Sequence, residues 1–180
     1  MGHDTMARRR ATADTFAPPA STPGGVPAFD LDAHLFFWLT QVLGRRDRQL
    51  VAALKRHRLR VPEWRVLASL AGRQRSSMNE LAELATIDRT TLSRTVDRMA
   101  KAGWLTRLSD ADDMRVTRLA LTASGRALFA RVLPQVDALN RGAIEGLPPG
   151  TVDMVRWALR EMCGNLDRAL TPSAAPERAA

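Results

Sequence analysis

Arg89, Thr90, Thr91, Ser93 and Arg94 cluster at the start of one helical segment, and Arg98 and Lys101 follow one and two turns later. Opposite them Leu92, Val96 and Met99 form a single apolar stripe, so short hydroxyls and guanidinium groups line the exposed face of an amphipathic helix. Side chains of this kind hydrogen-bond base edges in the major groove of duplex DNA, and cations farther along such a helix, here Arg98 and Lys101, suit backbone phosphates. Asp97 is the one acid among them. A surface helix without a ligand has the same composition, so the neighbouring elements decide between the two readings.

Those elements form a recognisable order. Asp88 is placed to cap the helix and Gly103 to end it in the left-handed conformation. Just upstream, Ser77-Met78-Asn79-Glu80 has the form of a capping box and opens a short helix through Leu81, Leu84 and Ala85. Two short helices joined by so few residues must cross steeply, which is the helix-turn-helix arrangement. Pro62 starts a preceding helix with Trp64, Leu67, Ala68 and Leu70 at helical spacing, closing near Gly72. After Gly103, the runs Trp104 to Leu108 and Arg115 to Leu121 flank the polar stretch Ser109 to Asp113 and read as a β-hairpin. Residues 61–121 are therefore expected to be a winged helix-turn-helix DNA-binding domain.

Long helices are expected on both sides. Residues 29–60 read as one helix from Phe29 to about Arg60, with Gly44 as a candidate interruption. Residues 122–170 read as two: one capped by Thr122 and bent at Pro134, the other opened by Pro148 and Pro149, with Val152, Val155, Trp157, Leu159, Met162 and Leu166 on its apolar side. The apolar faces near Leu31 to Leu43 and Val152 to Leu166 exceed what a small winged domain covers, which implies a second copy and a twofold homodimer. The expected fold is mainly α with a small β-hairpin wing, a winged helix-turn-helix with long N- and C-terminal dimerisation helices. Residues 1–28, with their prolines, glycines and Arg8-Arg9-Arg10, and residues 171–180 read as disordered tails.

Composition agrees with an anionic partner. The 180 residues carry 27 Lys+Arg against 19 Asp+Glu, a net +8 that is almost all arginine, and 45% hydrophobic content is enough to build a core. The longest apolar run, Leu35 to Leu43, is broken by Thr40 and Gln41 and stops at Arg45, and Arg8 to Arg10 precede no apolar stretch. A cytoplasmic protein with no membrane partner is the expectation. One cysteine and three histidines leave no disulfide and no structural zinc site. No Ser/His/Asp or Cys/His arrangement and no glycine-rich phosphate loop is present, so neither catalysis nor a cofactor is expected. Cys163 reads as a small buried hydrophobe; Arg160 nearby would favour its thiolate, which leaves a redox-sensing regulator as an alternative.

From about Asp30 to Leu170 the sequence resembles the MarR family of bacterial transcription regulators. Three blocks carry the resemblance: Glu63-Trp64-Arg65-Val66-Leu67; Thr91 to Met99 with Lys101-Ala102-Gly103-Trp104-Leu105; and Arg107, Asp113-Met114-Arg115 and Leu121-Thr122-Ala123-Ser124-Gly125. The resemblance implies a winged-helix homodimer on a pseudo-palindromic operator. It also implies that Arg115 enters the minor groove from the wing tip, with Asp113 orienting an arginine and Arg107 close by. An arginine suits the negative potential of a narrow A·T-rich minor groove.

In many members of that family a small phenolic or other aromatic acid binds between the dimerisation helices and the winged domain. The resemblance then implies an apolar cleft lined by Phe37, Trp38 and Trp64, with Arg45, Arg46 or Arg65 meeting a carboxylate. A urate-responsive branch has an aspartate directly after the second-helix tryptophan; Arg65 stands there and argues against that ligand. The whole reads as a sequence-specific double-stranded DNA-binding regulator, a repressor relieved by a small-molecule effector. The alternatives are redox sensing through Cys163 and an interaction adaptor that uses the same fold without specific DNA contact.

Overall fold

The computed structural model describes residues 29–109 and 117–170. In chain order the elements are α1 (Leu35–Lys55), α2 (Val61–Arg73), β1 (Arg75–Ser77), α3 (Met78–Ala85), α4 (Arg89–Lys101), β2 (Leu105–Ser109), β3 (Thr117–Leu121), α5 (Ala123–Ile144) and α6 (Thr151–Leu170). Two units divide after Gly44. In the first, Asp30 Oδ1 accepts the backbone N–H groups of Asp32 and Ala33, so an Asx turn precedes α1 and delays its start to Leu35. The expected start at Phe29 was too early.

The second unit holds the core. Leu50 and Leu54 from the C-terminal half of α1 join Val66, Leu67 and Leu70 of α2, Leu81 of α3, Leu92, Val96 and Met99 of α4, Leu119 and Leu121 of β3 and Leu128, Val132 and Val136 of α5. Helix α1 stops at Lys55 rather than near Arg60. Leu59 N–H turns back to Leu54 O (3.3 Å) and Arg58 adopts a left-handed φ of 56°, which swings Leu59 into the core. Burying that side chain offsets the strained residue.

The capping signals act as expected. Ser77 Oγ accepts from Glu80 N–H (3.3 Å) while Glu80 Oε2 accepts from Ser77 N–H (2.7 Å), a complete capping box at α3. Gly103, with φ 73°, closes α4 and lets Trp104 N–H reach Met99 O at 2.9 Å. The turn between α3 and α4 uses a left-handed threonine, Thr86 (φ 52°), where a glycine would be unstrained.

The sheet has three antiparallel strands in the order β1-β3-β2, with Leu119 paired to Ser76 on one side and Arg107 on the other. The hairpin was expected; β1 was not, because three residues are too few to show an alternating pattern.

The Leu121-Thr122-Ala123-Ser124-Gly125 block has a direct physical reason. Thr122 Oγ1 accepts from Gly125 N–H (3.1 Å) as the cap of α5 and donates to Gly103 O (2.6 Å), Ser124 Oγ donates to the same carbonyl, and Thr122 N–H donates to Trp104 O. A Cβ built on Gly125 would stand 2.0 Å from Trp104 O, so no larger residue fits that backbone approach. Helix α5 continues through Pro134 without ending, and α6 buries no residue. Cys163, expected to be buried, is exposed on α6, because the stripe it adjoins has no covering element among the described residues. Among the described residues no helix is long and apolar enough to cross a membrane.

Candidate nucleic-acid interface

Helix α4 is anchored by one face. Leu92, Thr95, Val96 and Met99 are buried, which leaves Thr90, Ser93, Arg94, Asp97 and Lys101 exposed and Thr91 and Arg98 half-buried on one flank. The buried Thr95 hydroxyl is satisfied by Thr91 O at 2.8 Å. At the N-terminus Asp88 Oδ1 accepts from Thr91 N–H (2.9 Å), a bond that, ahead of every other influence, holds the Asp88 carboxyl below its ordinary range. The Glu80 carboxyl on α3 is lowered likewise, first by the Ser77 backbone N–H, then by the Ser77 hydroxyl, with Arg118 assisting. Both caps are therefore ionised at neutral pH.

The arginines expected to meet DNA divide by their protein partners. Arg94 is exposed and has no hydrogen-bond or ion-pair partner among the described residues. Arg89 donates through Nη2 to Asn79 Oδ1 on α3. Arg107, on β2, donates through Nη2 to Asp97 Oδ1 at 2.5 Å and so joins the base of the hairpin to α4. Arg98 donates through Nε to Glu63 Oε1 at 2.5 Å. Asp113 and Arg115, expected at the wing tip, lie outside the described residues.

The helix face thus presents hydroxyl donors and acceptors, one unpaired guanidinium and several oriented ones on a rigid support. That chemistry reads base edges and grips phosphate. Sequence reasoning missed Glu63 and Asn79 as partners. Arg60 is not a capping residue type, so no local signal marked Glu63, and nothing in a linear sequence points from it to Arg98.

The effector candidates fall in both units. In the first, Phe37 and Trp38 make an edge-on pair with ring centroids 5.2 Å apart, and Trp38 Nε1 donates to Asp32 O at 2.7 Å. In the second, Arg46 and Arg65 converge on Asp47: Arg65 Nη2 lies 3.4 Å from Oδ2 and Arg46 Nη1 3.6 Å from Oδ1, and Arg46 Nε also donates to Asn140. Arg65 Nη1 reaches Thr86 O in the turn before α4. Trp64, at 5% exposure, stacks on Phe129 within the core, centroids 5.4 Å apart. Among the described residues no group of His, Cys, Asp and Glu could hold a metal ion.

Comparison with known proteins places this geometry. Residues 59–117 match the sequence profile of the MarR family. The chain is 30% identical over 132 residues to the HTH-type transcriptional repressor IacR of Pseudomonas putida, an alignment that spans 73% of this chain and 79% of that protein. Among solved structures, a MarR family transcriptional regulator from Silicibacter pomeroyi superposes with a TM-score of 0.71 at 25% identity, over 86% of this chain and 99% of that one. NadR in complex with 4-hydroxyphenylacetate superposes with a TM-score of 0.69 at 26% identity, over 76% and 97% of the respective chains.

Proposed function

The chain belongs to the MarR family, and from that premise we propose that it is a sequence-specific double-stranded DNA-binding repressor of transcription that works in the cytoplasm as a twofold homodimer and is relieved by a small aromatic acid. The observation that carries the reading is helix α4: its apolar face is wholly buried, its caps are satisfied, and the exposed face so fixed presents Thr90, Ser93 and Arg94. Thr91, Arg89, Arg98 and Arg107 support that face from its edges, and Arg115, oriented with Asp113, serves the adjacent minor groove.

A homodimer is supported by apolar residues that the chain leaves exposed. In the first unit these are Leu31, Leu35, Phe36, Trp38, Val42 and Leu43; on α6 they are Met154, Val155, Trp157, Leu159 and Leu166. A twofold pair places two recognition helices about one DNA turn, roughly 34 Å, apart on a pseudo-palindromic operator. NadR binds a phenolic acid, and in this chain Arg46 and Arg65 form a cationic pair around Asp47 that suits a carboxylate. Phe37 and Trp38 supply aromatic surface in the other unit, whereas Trp64, expected to line the same cleft, is taken up in the core by its stacking on Phe129.

The test is a salt titration of duplex binding, using fragments selected from the host genome. A repressor of this kind loses affinity linearly in log salt, with a slope of about 0.9 per phosphate contacted, and discriminates its operator from random duplex. Arg115→Ala weakens operator binding at physiological salt. Absence of both salt dependence and discrimination would replace this reading with that of a protein-interaction adaptor. A thermal-shift series of aromatic acids, repeated on Arg65→Ala, tests the effector.

A further inference from the structure

Glu63 is 3% exposed, and a buried carboxylate is costly unless both oxygens are engaged. Both are: Oε2 accepts the Arg60 backbone N–H at 2.7 Å, closing the first turn of α2, and Oε1 accepts Arg98 Nε at 2.5 Å from α4, 35 positions away in sequence. For the cap alone a neutral amide would serve at lower cost. The second bond requires the charge, and its effect is orientational, because a planar guanidinium held at Nε has its plane and outer edge set as well.

The atom used matters. Arg89 and Arg107 spend an Nη group on Asn79 and Asp97, the edge that would otherwise form a two-pronged bond to an anion. Arg98 is held only from behind. Its two Nη groups have no hydrogen-bond partner among the described residues, and its side chain is 41% exposed one turn after Arg94. Such an edge matches the paired oxygens of a phosphodiester, with two parallel N–H···O bonds.

We propose that Glu63 is a positioning residue that holds the Arg98 guanidinium edge-on to one backbone phosphate at the rim of each half-site, so that α2 and α4 together set the register of the recognition helix. This rests on the reading of α4 as the DNA-binding helix and adds a residue that never touches DNA. It also assigns Arg98 a task different from that of Arg94: its charge is balanced from within, so its contribution is directional hydrogen bonding more than long-range attraction.

The experiment is a phosphate scan, in which each operator phosphate in turn is replaced by a neutral methylphosphonate and binding to the full-length protein is measured. Wild type is expected to lose about tenfold at one rim phosphate per half-site, a typical cost for a charge-assisted pair. Arg98→Lys, which keeps the charge and the link to Glu63 but has no fork, loses about the same on the natural operator and becomes insensitive to that one replacement. Glu63→Gln, which keeps the helix cap, shows the same selective insensitivity although Arg98 is intact. A merely structural Glu63–Arg98 pair would lower the melting temperature of both variants and leave the scan unchanged; an unchanged scan in Arg98→Lys overturns the proposal even if Glu63→Gln does not fold. Failure of the wider reading looks different: wild type would then show no sensitive phosphate anywhere.

Discussion

Helices α4 and α6 carry the same kind of apolar stripe, yet one is covered and the other is not. Every large apolar residue of α4 lies in the core, against α2, α3 and the sheet, whereas α6 buries none and leaves Trp157 64% exposed. Periodicity alone cannot separate them, since it reports which side of a helix is apolar and not what lies against that side. The difference teaches where each helix gets its stability. Helix α4 draws on its own chain, which leaves its polar side available for a ligand, while α6 has an apolar face that a second copy would complete.

The comparison breaks first at α6. Trp157→Asp places a charge in the proposed dimer seam and is expected to give a monomer by sedimentation velocity, with operator affinity down at least about 100-fold as bivalent contact is lost. A dimer that survives this change would mean α6 is not the seam. Leu92→Ala sharpens the contrast from the other side. It opens a cavity in the covered stripe and costs about 2–5 kcal/mol in chemical denaturation, independent of protein concentration, whereas the effect of Leu166→Ala on α6 grows as the protein is diluted.

Gly125→Ala forces α5 away from the Trp104 carbonyl and costs about 1–3 kcal/mol of stability, again with no concentration dependence. Arg94→Ala leaves the melting temperature unchanged and lowers operator affinity by about 1–3 kcal/mol, seen in titrations against operator and random duplex. The smallest effect is on pH. The Asp88 carboxyl titrates below its ordinary value because of the Thr91 N–H, so its contribution to the α4 cap is present above the unfolded-state value and is lost as pH falls through the lower folded value. Asp88→Asn keeps an acceptor but does not ionise, and the acid limb of a circular-dichroism titration flattens while behaviour at neutral pH changes little.

Much of this was legible because local chemistry dictated it. Ser77, Asp88 and Thr122 cap helices through their own side chains, and Gly103 ends α4 by its own backbone freedom, so neighbours in sequence suffice to predict them. The boundaries of α1 were not legible, since they depend on an Asx turn at Asp30 and on a left-handed Arg58 whose strain is offset by burying Leu59. Strand β1 exists only because β3 lies beside it. The polar face of α4 followed from periodicity, but the state of the arginines around it, with Arg94 unpaired, Arg89 and Arg98 tethered to Asn79 and Glu63, and Arg107 of β2 tethered to Asp97, is a product of tertiary packing. The exposure of Cys163 follows from the same uncovered face of α6.

The knot of bonds at Gly103, Trp104, Thr122 and Gly125 has a mechanical consequence. Because the root of the hairpin and the first turn of α5 share those carbonyls, the two cannot pivot separately, and the hairpin behaves as the short arm of a lever whose long arm is α5. A small tilt imposed on the far end of that helix would be carried into β2 and β3, with the fulcrum at a glycine that admits no side chain.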